Sequence, residues 1–268
     1  MDIIELLKVF FLAVFQGIAE FLPISSSGHL AVLGKLFNID PESNFLLAIV
    51  LHMGTLLAII IFYFKKIIDI VFKWQWDIIS RLIVATIPVG IIGIVIKKFT
   101  NAEAFFDNLF LVSGCFLVTA ILLLIVKKQS QSSSKYELKN LPFKNVLFTG
   151  IMQGIAILPG ISRSGSTIFG GLKSGLSSRD SAEFSFLMGA AAIAGASLLE
   201  IMDCFQNSSE LIFDSATFIN LITGFIVSGV VGYFSLKLLL KILNKGKLEY
   251  FSYYLFFAAA ATLILELL

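Results

Sequence analysis

The sequence predicts an all-α polytopic membrane protein, with six transmembrane helices plus two re-entrant helical hairpins arranged as an inverted-topology repeat. Three observations carry this. Of 268 residues, 57% are hydrophobic and 14% charged, whereas soluble globular domains carry about 25% charged residues. Six apolar runs have about the 20 residues that a helix needs to span hydrocarbon. Two further apolar segments are interrupted by nearly the same polar sequence. Residues 16–28 read QGIAEFLPISSSG and residues 153–165 read QGIAILPGISRSG, identical at 8 of 13 positions at an offset of 137.

Segment 6–36 comes first and breaks at Pro23-Ile24-Ser25-Ser26-Ser27-Gly28. Its apolar start has the length of a signal-peptide core. However, Asp2 and Glu5 precede it, no small-x-small cleavage site follows, and Gln16 and Glu20 continue the same helical face. It therefore reads as part of the folded chain. Proline removes a backbone donor and clashes with the preceding turn, and serine is a good N-cap for a helix that restarts. Each arm is too short to cross alone, so the segment reads as a hairpin. Spans follow at 44–64, 78–98 and 105–127. Residues 129–140, QSQSSSKYELKN, are polar and serine-rich and read as a flexible linker. The second broken segment, 145–175, interrupts at Pro159-Gly160-Ile161-Ser162-Arg163-Ser164-Gly165, and spans at 180–202, 217–241 and 249–267 complete the chain.

Loop charges orient the set. Lys65, Lys66 and Lys73 lie in the loop 65–77, and Lys127, Lys128, Lys135, Lys139 and Lys144 lie between the halves. Lys245 and Lys247 lie in the last loop, 242–248, beside Lys241, while 203–216 has Asp203, Glu210 and Asp214 and no Lys or Arg. Excess Lys and Arg mark the cytoplasmic side, which puts both termini and 203–216 outside. An odd number of spans per half inverts the second copy. The division is a first repeat at 1–128, a cytoplasmic linker at 129–144 and a second repeat at 145–268, within one integral-membrane domain. In such folds a substrate site lies where the interrupted segments meet near the midplane.

A net charge of +2 gives no reason to expect a nucleic-acid partner, and Cys115 and Cys204 lack ligand spacing and read as packing residues. Arg81 and Arg179, at predicted span ends, read as interface anchors. Glu20, His29 and Arg163 are different, because ionisable groups at membrane depth mark function by default. Two helices restart at the tips, after Ser25 and after Ser162, and helix N-termini suit phosphate. A guanidinium at Arg163 matches phosphate oxygens bidentately. Gln16 and Glu20 share a helix face; the carboxylate can pair with Arg163, accept a proton, or hold a divalent cation bridging phosphate oxygens. His29 follows Ser26 by three residues, so the two can form an activated nucleophile and base. The rival reading has His29 itself attack phosphorus. His52, inside a full span, is left between packing and function.

Gln16-Gly17-Ile18-Ala19-Glu20-Phe21-Leu22-Pro23 followed by Ser25-Ser26-Ser27-Gly28-His29 resembles the first motif of the bacterial undecaprenyl-diphosphate phosphatases of the bacitracin-resistance type. Pro159 to Thr167 resembles their second motif, and Ser181 to Leu187 is also similar. The resemblance runs over the whole chain. It implies hydrolysis of undecaprenyl diphosphate to undecaprenyl phosphate, recycling the lipid carrier of cell-wall synthesis. It also implies a divalent cation (magnesium or calcium), a multi-pass protein of the bacterial plasma membrane, and a site opening to the outer face. Carried over residue by residue, it implies Glu20 and Gln16 as metal ligands and Ser26, His29, Glu20 and Arg163 as catalytic. Ser25, Ser27, Ser162, Ser164, Gly165 and Thr167 then bind substrate. Gln16 is an amide where relatives often have glutamate, and Ala191 stands where they commonly have proline, which weakens a kink there. The implied partners are a polyprenyl diphosphate lipid and the bilayer, and a homodimer is compatible with the sequence.

The alternative is an inverted-repeat transporter or flippase for a polyprenyl phosphate or other anion, since fold does not fix function. A bare anion site needs no nucleophile and base beside its arginine. The other class of membrane lipid phosphatase, with two histidines in separated motifs, is excluded because His52 precedes the Ser162-Arg163 element.

Overall fold

The computed structural model describes residues 3–37, 41–99, 108–127, 134–207 and 215–268, and among them all regular structure is helical. The helices are α1 (Ile3–Ala19), α2 (Ser26–Phe37), α3 (Pro41–Phe62), α4 (Phe64–Phe72), α5 (Trp76–Phe99) and α6 (Leu109–Ile125). After a 3₁₀ turn at Leu138–Asn140 come α7 (Phe143–Ile155), α8 (Arg163–Lys173), α9 (Ser178–Asn207), α10 (Ser215–Asn244) and α11 (Glu249–Leu267). Both predicted breaks are present, between α1 and α2 and between α7 and α8.

Four stretches are long and apolar enough to cross a membrane: Trp76–Ile96, Ser178–Met202, Ser215–Asn244 and Glu249–Leu267. Leu46–Phe62 and Phe64–Phe72 form a pair bent by 73°, which makes a fifth if taken as one crossing, and Leu109–Ile125 is a shorter apolar helix. Large apolar side chains cover the outside, among them Phe11, Phe72, Ile94, Leu199, Phe234 and Phe257, each more than 60% exposed. An outer surface of this kind suits lipid, and the protein is a multi-pass membrane protein.

Small residues let the helices approach closely, which replaces the hydrophobic driving force that lipid removes. On α1, Val9, Ala13, Gln16 and Gly17 are buried at helical spacing. A Cβ at Gly17 would lie 2.8 Å from the Ser228 carbonyl oxygen of α10, and one at Gly150 of α7 would lie 2.4 Å from the Ala85 oxygen of α5. Helix α1 therefore packs on α10, and α7 packs on α5. At the offset of 137 these are one pair with the halves exchanged.

Four expectations are corrected. Residues 65–77 are not all loop: after Tyr63 the chain bends and continues as α4, where Ile67, Ile70 and Val71 recur at helical spacing and Lys73 pairs with Asp69 at 2.6 Å. The linker is not flexible throughout. The Lys135 and Tyr136 amides donate to the Gly175 carbonyl at 2.8 and 3.1 Å, and Leu138 is buried. Arg81 is more than an interface anchor, because its Nε donates to the Leu141 carbonyl at 2.8 Å and ties α5 to the start of α7. Asp203, predicted in the outer loop 203–216, instead continues α9; its side chain and that of Cys204, together with Glu210, Asp214 and Lys128, lie outside the described residues. Helix α9 passes Ala191 without a break.

Candidate active site

Helix α1 ends at Ala19, and the chain turns through Glu20–Ile24 before α2 restarts. Ser25 caps the restart, its Oγ accepting the Gly28 amide at 3.3 Å. In the second copy Ser162 does the same for α8, its Oγ accepting the Gly165 amide at 3.1 Å. These caps satisfy donors that a helix start leaves unpaired.

The two tips touch. A Cβ at Gly28 would lie 2.7 Å from the Gly160 Cα, and one at Gly165 would lie 3.2 Å from the Pro23 Cβ. Ser164 Oγ donates to the Leu22 carbonyl at 3.3 Å. From α6, Thr119 Oγ1 accepts the Ser162 amide at 3.1 Å and donates to the Gly160 carbonyl at 3.2 Å, holding the second tip from behind.

Glu20 is the hub. Its Oε1 accepts from Arg163 Nη2 at 2.6 Å, across the two tips. Its Oε2 accepts from Ser26 Oγ at 2.9 Å and from Gln16 Nε2 at 3.2 Å. Arg163 Nη1 donates to the Ser185 carbonyl of α9 at 3.3 Å. The carboxylate is 7% exposed and the guanidinium 16%, so their charges meet with little water between them. Breaking one partner of such a pair strands the other charge, at about 3–5 kcal/mol.

Residues 9–261 match the family described as Bacitracin resistance protein BacA. The chain belongs to that family. A relative from Halothermothrix orenii, named Undecaprenyl-diphosphatase, is 40% identical, with 97% of this chain and 98% of the relative covered. One from Carboxydothermus hydrogenoformans with the same name is 38% identical over 95% of each chain. A third, from Thermosipho africanus and also so named, is 40% identical over 91% of this chain and 93% of its own.

In this BacA-family chain, one expected contact is replaced. The sequence reading paired Ser26 with His29. Instead Ser26 donates to Glu20, and both ring nitrogens of His29 are engaged elsewhere. His29 Nδ1 lies 2.8 Å from the Ser25 carbonyl oxygen, and Nε2 lies 2.7 Å from the Tyr254 hydroxyl. The reason is rotameric: on α2 the imidazole turns back along the helix to the carbonyl four residues earlier, away from Ser26. The remaining predicted residues are placed as follows. Ser27 Oγ lies 3.4 Å from Ser25 Oγ, and Ser27 is exposed. Ser162 and Ser164 hydroxyls lie 3.1 Å apart. Thr167 Oγ1 donates to the Arg163 carbonyl at 2.7 Å and lies 2.6 Å from Ser185 Oγ, so it braces α8 against α9.

Four contributors stand outside the predicted site residues, of which His52 was left open and only Tyr254 and Gly189 were missed outright. His52 Nε2 lies 3.7 Å from Glu20 Oε2. Tyr254 reaches His29 from α11. Ser185 and Gly189 shape the arginine's seat, and a Cβ at Gly189 would lie 1.7 Å from Arg163 Nη1. The resemblance at 181–187 pointed toward Ser185; Tyr254 left no signal.

A divalent cation fits this donor set in part. Gln16 is fully buried and its Oε1 has no hydrogen-bond partner, beside the Glu20 carboxylate. Among the described residues no three His, Cys, Asp or Glu side chains gather as a metal cluster. Two protein oxygens with substrate oxygens and water is the usual arrangement for magnesium.

Proposed function

We propose that this chain hydrolyses undecaprenyl diphosphate to undecaprenyl phosphate and inorganic phosphate. That recycles the lipid carrier for peptidoglycan synthesis and confers bacitracin resistance. The observation that carries the reading is the chain of contacts from Ser26 through Glu20 to Arg163, built from both tips. A transporter's anion site would have no use for a hydroxyl already donating to a buried carboxylate.

Ser26 Oγ attacks the terminal phosphorus, and its proton passes to Glu20 Oε2. The bond from phosphorus to the bridging oxygen breaks, and undecaprenyl phosphate leaves. Water then attacks the phosphoserine, the P–Oγ bond breaks, and Ser26 recovers a proton as inorganic phosphate departs. Arg163 and the starts of α2 and α8 face the charge that grows on the phosphoryl oxygens. Glu20 and Gln16 would hold a divalent cation, magnesium or calcium, which would offset repulsion between the diphosphate and the carboxylate.

The architecture we assign is an inverted repeat, 1–128 and 145–268 joined by 129–144. Six spans and two re-entrant hairpins sit in the bacterial plasma membrane, with the site open to the outer face. It is supported by the offset of 137 and by the exchanged pairing of α1 with α10 and α7 with α5.

The test is phosphate release from undecaprenyl diphosphate by the purified protein and by Ser26→Ala. Removing a nucleophile should lower turnover by about 10³-fold or more. No release by the wild type, or an unaffected Ser26→Ala, contradicts the reading.

A further inference from the structure

Proline at 23 and glycine at 160 occupy the same place in the two copies. Gly160 reverses the second tip with φ +93°, which glycine adopts freely. Proline is fixed near −65° and cannot. In the first tip the left-handed residue falls two positions later, on Ser25, with φ +70°. Its counterpart Ser162 has an ordinary φ of −72°. A left-handed serine persists only where its surroundings hold it, and such residues cluster at functional sites.

Ser25 is held by its own cap to the Gly28 amide and by the His29 backbone amide, which donates to its carbonyl at 3.3 Å, and the His29 ring adds a further hold on that same oxygen. A carbonyl only accepts, so Nδ1, 2.8 Å from the Ser25 oxygen, carries the proton. In the neutral ring Nε2 is then the acceptor, and the Tyr254 hydroxyl at 2.7 Å donates to it. The ring stacks on Tyr254 at 8° and 5.6 Å, with Phe15 and Phe116 at 5.1 and 4.8 Å. It is 9% exposed. It cannot turn toward Ser26 without giving up both hydrogen bonds. His52 makes a similar bond to the Ala48 carbonyl, but inside a regular helix, where no unusual backbone depends on it. The second copy has Ser166 in place of His29 and needs no clamp, because Gly160 takes the reversal.

We propose that His29 is a positioning residue: Tyr254 on Nε2 keeps its Nδ1–H on the Ser25 carbonyl, which helps to hold the left-handed turn and aims the Ser26 hydroxyl at Glu20. His29 neither attacks phosphorus nor takes the Ser26 proton. This rests on the phosphatase reading above. It also identifies Tyr254, 225 residues away in sequence, as a part of the site's support.

Asparagine presents its amide N–H near the place of Nδ1, and glutamine near that of Nε2. In His29→Asn the clamp survives, and kcat should fall by no more than about tenfold. In His29→Gln and His29→Ala it should fall by about 100-fold or more, with KM changing less. Tyr254→Phe should lie between. A folded, monodisperse His29→Asn as inactive as His29→Ala overturns the proposal. Rapid quenching of the wild type during turnover gives a check that needs no variant: acid-stable phosphate on Ser26 supports it, and acid-labile phosphate on His29 overturns it. A third readout needs no turnover. With ¹⁵N-labelled histidine, His29 should show a protonated Nδ1 and a bare Nε2, and the opposite tautomer overturns the clamp. A wild type that releases no phosphate but shows the expected tautomer sinks the phosphatase reading and leaves the clamp standing.

Discussion

Ser25 and Ser162 stand at the same place in two copies of one sequence and cap their helices in the same way, yet their neighbours differ in charge and backbone. The first copy has Glu20, Ser26, His29 and His52. At the corresponding places the second has Ile157, Arg163, Ser166 and Gly189. One half supplies a carboxylate and a hydroxyl; the other supplies a guanidinium and, at Gly189, the space to seat it. Duplication thus provides two matching frames whose tips can meet. Divergence at a few positions then makes the meeting point chemically asymmetric, which a reaction with distinct nucleophilic and electrophilic partners requires.

The sharpest way to break this division of labour is Arg163→Lys. Charge survives, but a lysine cannot reach both Glu20 and Ser185 with a planar fork. Phosphate release should fall by about 10³-fold, and near-normal release would show that charge alone suffices. Gly189→Ala tests the seat rather than the group. Its methyl would fall on Arg163 Nη1, so turnover should drop by about 10²-fold while the protein still purifies as a monodisperse species. An unchanged rate would mean that the guanidinium is free to move. A chelator in excess should stop turnover by the wild type, and magnesium or calcium should restore it. Persistent activity would remove the cation and leave Gln16 a structural amide.

Smaller effects separate the two backbones. Gly160→Ala places a Cβ 2.5 Å from the Val112 oxygen at positive φ and should cost about 2–3 kcal/mol, read as a clear fall in the unfolding temperature. Ser25→Gly should change stability by less than about 0.5 kcal/mol, since relief of the left-handed strain offsets the lost cap. Ser162→Gly has no strain to relieve and should be the more destabilising of the two serine replacements. The reverse order would contradict the backbone contrast.

The paired breaks, the helices around them and the meeting of Glu20 with Arg163 were legible in the sequence. Proline, glycine and serine act on local backbone, and a buried charge demands a partner wherever it is. Less legible was what each side chain does once there. The spacing of Ser26 and His29 allowed a contact, but rotamer and the arrival of Tyr254 from α11 decided against it. His52 could not be told from a packing histidine until α3 was seen beside Glu20. Gly189 carried no signal at all, because an empty space has meaning only when a guanidinium fills it. The bend at Tyr63 was hidden because the lysines that mark a loop also line one face of an amphipathic helix.

The central claim is that the two tips act as one site, through the 2.6 Å contact of Glu20 with Arg163. A double-mutant cycle of Glu20→Gln and Arg163→Met, read as kcat for phosphate release from undecaprenyl diphosphate, tests it most directly. Groups that work as a unit are strongly non-additive. Each single change should cost most of the activity, and the double variant should lose no more than the worse single. Losses that multiply would show that the two residues act independently, and would contradict the account.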